Sequence, residues 1–331
     1  MAEPVRIAIT FKVDDDVLER IQAVDPRVEI VPFPSVVLRP GMTLTEDEMA
    51  QARAALADVE VIFGPVALPL ELFDAAPKLR WFQALTAGVD QLTERGLLDR
   101  GFTVTKVSGL ASNAIAEYAM ASMLMLAKGL HTMIRNQAEH RWAFRFNAEL
   151  RGKTVGIVGY GSIGKATARL AKAFGMRVVA CRRRSGDPDP DCDRMRPYTA
   201  LHELLGESDF VVLSVPLTEE TRGLIGADEL RAMRRTAYLV NVARGPVVDQ
   251  EALIAALREG TIAGAGLDVF DPEPLPEDSA LWDLPNVIIT PHISGAIEGY
   301  GHRASELFVA NLRRFLAGEP LENVVDPVLT Y

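Results

Sequence analysis

Residues 153–164 read Lys153-Thr-Val-Gly-Ile-Val-Gly-Tyr-Gly-Ser-Ile-Gly164 and contain the spacing Gly159-x-Gly161-x-x-Gly164. Alone, that spacing is common. Here an apolar run suited to a strand, Thr154–Val158, precedes it. Ile163, Ala166, Leu170 and Phe174 follow, spaced along one face of a helix. In that context each glycine has a task. Gly159 permits the tight turn out of the strand, Gly161 lets the backbone approach an anion, and Gly164 lets helix and strand pack closely. The helix N-terminus offers unpaired N–H groups and the positive end of its dipole. The stretch predicts a pyrophosphate cradle in a dinucleotide-binding βαβ unit, with Tyr160, Ser162 and Ile163 among its contacts.

The next strand should end in the residue that reads the adenine ribose, usually an acid. It runs Arg177-Val-Val-Ala-Cys-Arg-Arg-Arg-Ser185, and no acid stands at its end. Arg182, Arg183 and Arg184 stand there instead. Guanidinium groups favour a 2′-phosphate through charge-assisted hydrogen bonds. The expected cofactor is NADP(H), with NAD tolerated.

Outward from this unit, short β-rich runs alternate with amphipathic runs. The series before it includes Val5–Ile9, Val28–Val31, Val59–Phe63, Arg80–Gln83 and Thr103–Val107; the series it opens continues through Phe210–Leu213, Tyr238–Asn241, Gly264–Val269 and Val287–Ile289. The rhythm predicts an α/β protein with two doubly wound parallel-sheet domains. Asn113–Leu130 is nearly all small and apolar and predicts a helix buried between domains or subunits. The final helix, Ala304–Leu316, follows the last cofactor-domain strand and is free to return to the first domain.

With 331 residues the chain is long enough for two cores. A formal net charge of −10 disfavours nucleic acid or an anionic membrane as partner. Cys181 and Cys192 are the two cysteines, too few for a disulfide framework and without metal-ligand spacing, so no metal site is expected. No apolar run is long enough for a signal sequence or a span, and the expected location is the cytoplasm.

Three downstream segments end strands and carry reactive side chains: 239–246 with Arg244, 264–274 with Glu273, and 287–295 with His292. Ligands of open α/β sheets bind beyond the carboxyl ends of strands, so these three can converge. Reducing a 2-oxo acid needs a cation to hold the carboxylate and polarise the ketone, which suits Arg244. It needs an acid to protonate the developing alkoxide, which suits His292. It needs a partner that keeps that acid charged, which suits Glu273.

The motifs Val158–Gly164, Pro216-Leu-Thr218 with Thr221, Asn241–Gly245, Asp268–Pro274 and Thr290–His292 resemble, in order, the signatures of the D-isomer-specific 2-hydroxyacid dehydrogenase family. Leu85–Asp90 and Ser108–Glu117 match it in the first half. The resemblance implies a Rossmann cofactor domain (104–294) inserted into a flavodoxin-like substrate domain (1–103 and 295–331), with a hinge that closes a cleft. It implies Arg244, Glu273 and His292 as catalytic residues. Backbone N–H groups of Ala87, Gly88 and Val89 would hold the substrate carboxylate beside Arg244 and His292. Val215, Pro216, Thr221, Val242 and Ala243 would line the cofactor cleft, and Asp268 would contact the nicotinamide carboxamide. Ser294 is included as a cofactor contact, although the stretch after His292 departs from the family pattern. A homodimer formed through the Asn113–Leu130 helix and the arm His131–Phe146 is also implied.

The implied activity is reduction of a small 2-oxo acid, such as glyoxylate or hydroxypyruvate, to the D-2-hydroxy acid. A dinucleotide-sensing, corepressor-like binding protein is the alternative. The side chain of the substrate is left open by the sequence.

Overall fold

A computed structural model of the chain describes residues 3–34, 44–183 and 189–326. Its contacts divide the chain into two compact units, Met1–Leu110 with Ile297–Tyr331, and Ala111–Ala296.

The first unit alternates β1 (Val5–Ile9), α1 (Asp15–Gln22), β2 (Val28–Val31), α2 (Glu46–Leu56), β3 (Val61–Gly64), α3 (Leu70–Asp74), β4 (Trp81–Ala84), α4 (Asp90–Glu94) and β5 (Thr103–Thr105). The strands form one parallel sheet in the order β2-β1-β3-β4-β5. This is the flavodoxin-like order. Alternation along each strand sorts the core onto two faces. Ile7, Phe63 and Trp81 face one way and pack with Phe308 and Leu312 of the C-terminal helix, while Ala8, Ile62 and Phe82 face α2, α3 and α4. The Phe308 ring stacks 4.5 Å from Phe63 and 5.1 Å from Trp81. Truncating such a ring costs about 3–5 kcal/mol, so the returning helix is firmly held.

A buried polar chain supports the same joint. Trp81 Nε1 donates to Thr105 Oγ1 at 2.7 Å, and that hydroxyl donates to Gln83 Oε1 at 2.8 Å. Asn311 of the C-terminal helix exchanges hydrogen bonds with the backbone of Glu322, and the Val324 segment then pairs with Thr105 and covers the β5 edge.

The second unit holds α5 (Ser112–Lys128), α6 (Leu130–Ala138), β6 (Thr154–Val158), α7 (Ser162–Ala173), β7 (Arg177–Arg182), β8 (Arg194–Pro197), α8 (Leu201–Glu207), β9 (Phe210–Leu213), α9 (Ala227–Ala232), β10 (Tyr238–Asn241), α10 (Gln250–Glu259), β11 (Gly264–Leu267) and β12 (Val287–Ile289). The C-terminal helix of the first unit is α11 (Tyr300–Ala317). The second sheet is parallel throughout, in the order β12-β11-β10-β9-β6-β7-β8. The chain reverses direction between β6 and β9, which is the switch point of a Rossmann fold. Helices α5 and α7 cover one face; α8, α9 and α10 cover the other.

Three sequence expectations change. The first boundary falls after Leu110 rather than at 103, because β5 pairs with β4 and stays in the first sheet; the second falls after Ala296 rather than at 294. Strand β8 was not expected, since its residues Arg194-Met-Arg-Pro197 are polar; its register against Val179–Arg182 makes it an edge strand. The Asn113–Leu130 stretch is not one helix. It breaks at Gly129, which has φ of 63°, and α5 packs on α7, β10 and β11 inside its own unit with Glu117 exposed. Among the described residues, no helix is long and apolar enough to cross a membrane.

Candidate active site

The glycine loop lies where β6 turns into α7. Gly159 has φ of 97°, and a Cβ there would sit 2.8 Å from the Ser214 backbone, so both conformation and space require glycine. A Cβ on Gly164 would overlap the carbonyl oxygen of Gly159, which is the close helix–strand packing expected of it. A Cβ on Gly161 would meet nothing within 4 Å. Gly161 and Ser162 are exposed, and no side chain caps the first turn of α7. The loop therefore presents open space and N–H groups of Ser162 and Ile163 that are unpaired among the described residues, which fit a pyrophosphate. The Tyr160 ring is buried in the core, and burial holds its phenol well above the ordinary range.

The other expected cofactor residues stand at neighbouring strand ends. Arg182 closes β7 and is half-buried; Arg183 is exposed and pairs with Glu220 at 3.5 Å. Arg184 lies outside the described residues. Pro216 is exposed after β9, whereas Val215, Val242 and Ala243 are nearly buried. Thr221 also shapes its own turn. Its hydroxyl donates to the Pro216 carbonyl at 2.6 Å and accepts from the Thr218 N–H at 2.8 Å, pinning the turn that presents Pro216.

The proposed trio occupies the ends of β10, β11 and β12, three adjacent strands. Arg244 follows β10 in extended backbone, and its Nη1 donates to the Ala243 carbonyl at 2.8 Å. Asn241 braces the turn, accepting from Ala243 N–H at 3.0 Å and donating to the Arg244 carbonyl at 3.1 Å. A Cβ on Gly245 would overlap the backbone of Phe270 and Asp271, so this turn packs directly on the start of the Glu273 loop. Gln250, at the start of α10, clasps the same loop by bonding both the carbonyl and the N–H of Asp271. Sequence reasoning passed over Gln250, because a glutamine opening a helix carries no pattern of its own.

Glu273 bridges two elements. One oxygen accepts from the Phe270 N–H at 3.0 Å, and the other lies 2.8 Å from His292 Nδ1. With Nδ1–H donated to that carboxylate, His292 presents Nε2 outward. The His292 side chain is 45% exposed. Its backbone has φ of 52°, in the left-handed region that non-glycine residues seldom adopt. Such conformations persist only where the surroundings enforce them, and they concentrate at functional sites.

Asp268 supplies part of that enforcement. It is fully buried. Its carboxylate accepts from the Thr290 hydroxyl at 2.6 Å, the Ile293 N–H at 2.9 Å and the Ser294 N–H at 2.8 Å. Its carbonyl accepts from the His292 N–H at 2.8 Å. The Ser294 N–H, on a residue expected to contact the cofactor, is part of this clamp. In the first unit, Ala87 is exposed, Gly88 is half-buried and Val89 turns its side chain into the core. Among the described residues, the N–H groups of these three donate to no protein acceptor.

Comparison with known proteins agrees with this geometry. Residues 120–294 match the family model "D-isomer specific 2-hydroxyacid dehydrogenase, NAD binding domain". A glyoxylate reductase from Korarchaeum cryptofilum is 42% identical over 265 residues, covering 77% of this chain and 79% of that protein. A D-isomer specific 2-hydroxyacid dehydrogenase from Xanthobacter autotrophicus Py2, solved with NADPH and MES, superposes with a TM-score of 0.83 at 34% identity over all of both chains. An NADPH-dependent glyoxylate/hydroxypyruvate reductase from Sinorhizobium meliloti, solved with NADP and sulfate, gives a TM-score of 0.80 at 25% identity, covering 99% of this chain and 100% of that one. A Rossmann loop, a Glu–His pair at the same sheet edge and this kinship together place the chain in the D-isomer-specific 2-hydroxyacid dehydrogenase family.

Proposed function

We propose that the chain is an NADP(H)-dependent reductase that converts a small 2-oxo acid, of the glyoxylate and hydroxypyruvate class, to the D-2-hydroxy acid. The observation that carries this reading is the 2.8 Å pairing of Glu273 with His292 Nδ1 beside a dinucleotide loop. Bound at that loop, the reduced dinucleotide supplies the hydride. Arg244 holds the substrate carboxylate and polarises its ketone oxygen. His292 gives the proton from Nε2 to the oxygen that becomes the hydroxyl, and Glu273 holds the ring through Nδ1. Consumption of NADPH on addition of glyoxylate or hydroxypyruvate tests the reading; dinucleotide binding without turnover of any 2-oxo acid favours the corepressor-like alternative.

Cofactor preference is assigned to the end of β7. The NADPH and NADP complexes of the two structural relatives support NADP(H). Arg182→Asp replaces a 2′-phosphate partner with a ribose-hydroxyl partner and should shift the NADPH/NADH ratio of kcat/KM toward NADH by about 10²-fold. A ratio that stays put would remove Arg182 from cofactor recognition.

We also infer a homodimer. Its support is the arm after α6, where Trp142 is fully exposed and Phe144 and Phe146 are 81% and 88% exposed. An apolar patch of this kind marks a partner surface.

A further inference from the structure

The clamp on residues 290–294 does not end at Asp268. A carboxylate only accepts hydrogen bonds, so the Thr290 hydroxyl spends its proton on Asp268. The Thr290 oxygen also bonds Tyr118 Oη. With the Thr290 proton committed, Tyr118 is the donor in that second bond. Burial holds the Tyr118 phenol above its ordinary value, and the Asp268 charge adds to this, so it keeps its proton wherever the enzyme works.

The fold brings the tyrosine there through small residues. In β11, a Cβ on Gly266 would come within 3.1 Å of the Ser122 Cβ, so α5 lies close against the sheet. One turn earlier on α5, Tyr118 reaches the end of β12. The resulting chain runs Tyr118 to Thr290 to Asp268, and Asp268 grips the residues on both sides of His292.

We propose that Tyr118 is a positioning residue for the reaction: it orients the Thr290 hydroxyl toward Asp268, and so holds His292 in its left-handed conformation against Glu273. This rests on the reading of His292 as proton donor. Tyr118 touches no substrate in this role; it acts through Thr290.

The test compares Tyr118→Phe, Thr290→Val, Thr290→Ser and the double variant Tyr118→Phe/Thr290→Val. Each is measured for kcat and KM with saturating NADPH, for dinucleotide affinity and for melting temperature. Phenylalanine keeps the ring packing and removes only the donor. Tyr118→Phe should lower kcat about tenfold, with KM changed by less than about threefold, since a misplaced donor slows the proton step more than it weakens binding. Thr290→Val should lower kcat further, and Thr290→Ser should recover most of that loss. If Tyr118 acts only through Thr290, the double variant is no slower than Thr290→Val. Losses that multiply, or a Tyr118→Phe enzyme with wild-type kcat and merely a lower melting temperature, would overturn the proposal. His292→Asn run in parallel separates the two layers. Turnover that survives His292→Asn removes the proton-donor reading itself. Turnover lost in His292→Asn but kept in Tyr118→Phe removes only the relay.

Discussion

His292→Asn is expected to lower kcat for 2-oxo acid reduction by about 10³-fold, the scale of a lost general acid. Asparagine is a favourable choice for two physical reasons. It tolerates the left-handed backbone that His292 adopts at φ of 52°, so the turn is not forced to rearrange. Its amide still donates hydrogen bonds but has no proton to give at neutral pH. The loss should therefore fall on the chemical step, with dinucleotide affinity and melting temperature near those of the parent. Measuring kcat under saturating substrate, with dinucleotide affinity followed separately by fluorescence, distinguishes this from general damage. A variant that keeps kcat to within about tenfold of the parent would remove His292 as the proton donor.

Arg244→Gln should cost about 10³-fold in kcat/KM, because the residue is asked to hold a carboxylate and to stabilise charge on the ketone oxygen. The loss should appear in both KM and kcat, since one interaction exists in the ground state and the other grows in the transition state. Arg244→Lys refines the point. A lysine restores the charge without the planar fork, and should recover only a minor part. The arrangement around Arg244 explains why position matters as much as charge. Asn241 fixes the turn, Gly245 lets it lie on the Phe270 backbone, and the Ala243 carbonyl holds Nη1 at 2.8 Å. Full recovery by lysine would contradict a directional role for the guanidinium.

Much of this site was legible because its chemistry is local in sequence. The glycine loop depends on spacing within six residues and on the strand and helix beside it, so its fold context could be read directly. The glycine turn at Gly245 and the proline-flanked Glu273 and His292 each end a strand, and parallel α/β topology sends strand ends to one edge. The fold order followed for the same reason: alternating apolar runs leave few right-handed arrangements.

What stayed hidden depends on contacts far apart in sequence. Tyr118 and Thr290 meet across most of the second unit, and no periodicity connects them. Asp268 was legible as an acid in the right motif, but its engagement with Ile293 and Ser294 exists only once β11 and β12 are paired. Thr221 reads as a polar residue near a cofactor cleft, yet its hydroxyl is spent on its own turn. Edge strand β8 escaped because Arg194-Met-Arg-Pro197 pairs with β7 through its backbone and carries no apolar pattern. The division after Leu110 was likewise set by the pairing of β5 with β4 and not by composition.

The most direct test of the central claim is to reduce hydroxypyruvate with NADPH deuterated at the transferring C4 position and to identify the product. Turnover, deuterium at C2 of the product and the D configuration at that carbon are expected. Turnover without deuterium at C2, or an L product, or no turnover of any 2-oxo acid by a protein that binds the dinucleotide, would contradict it.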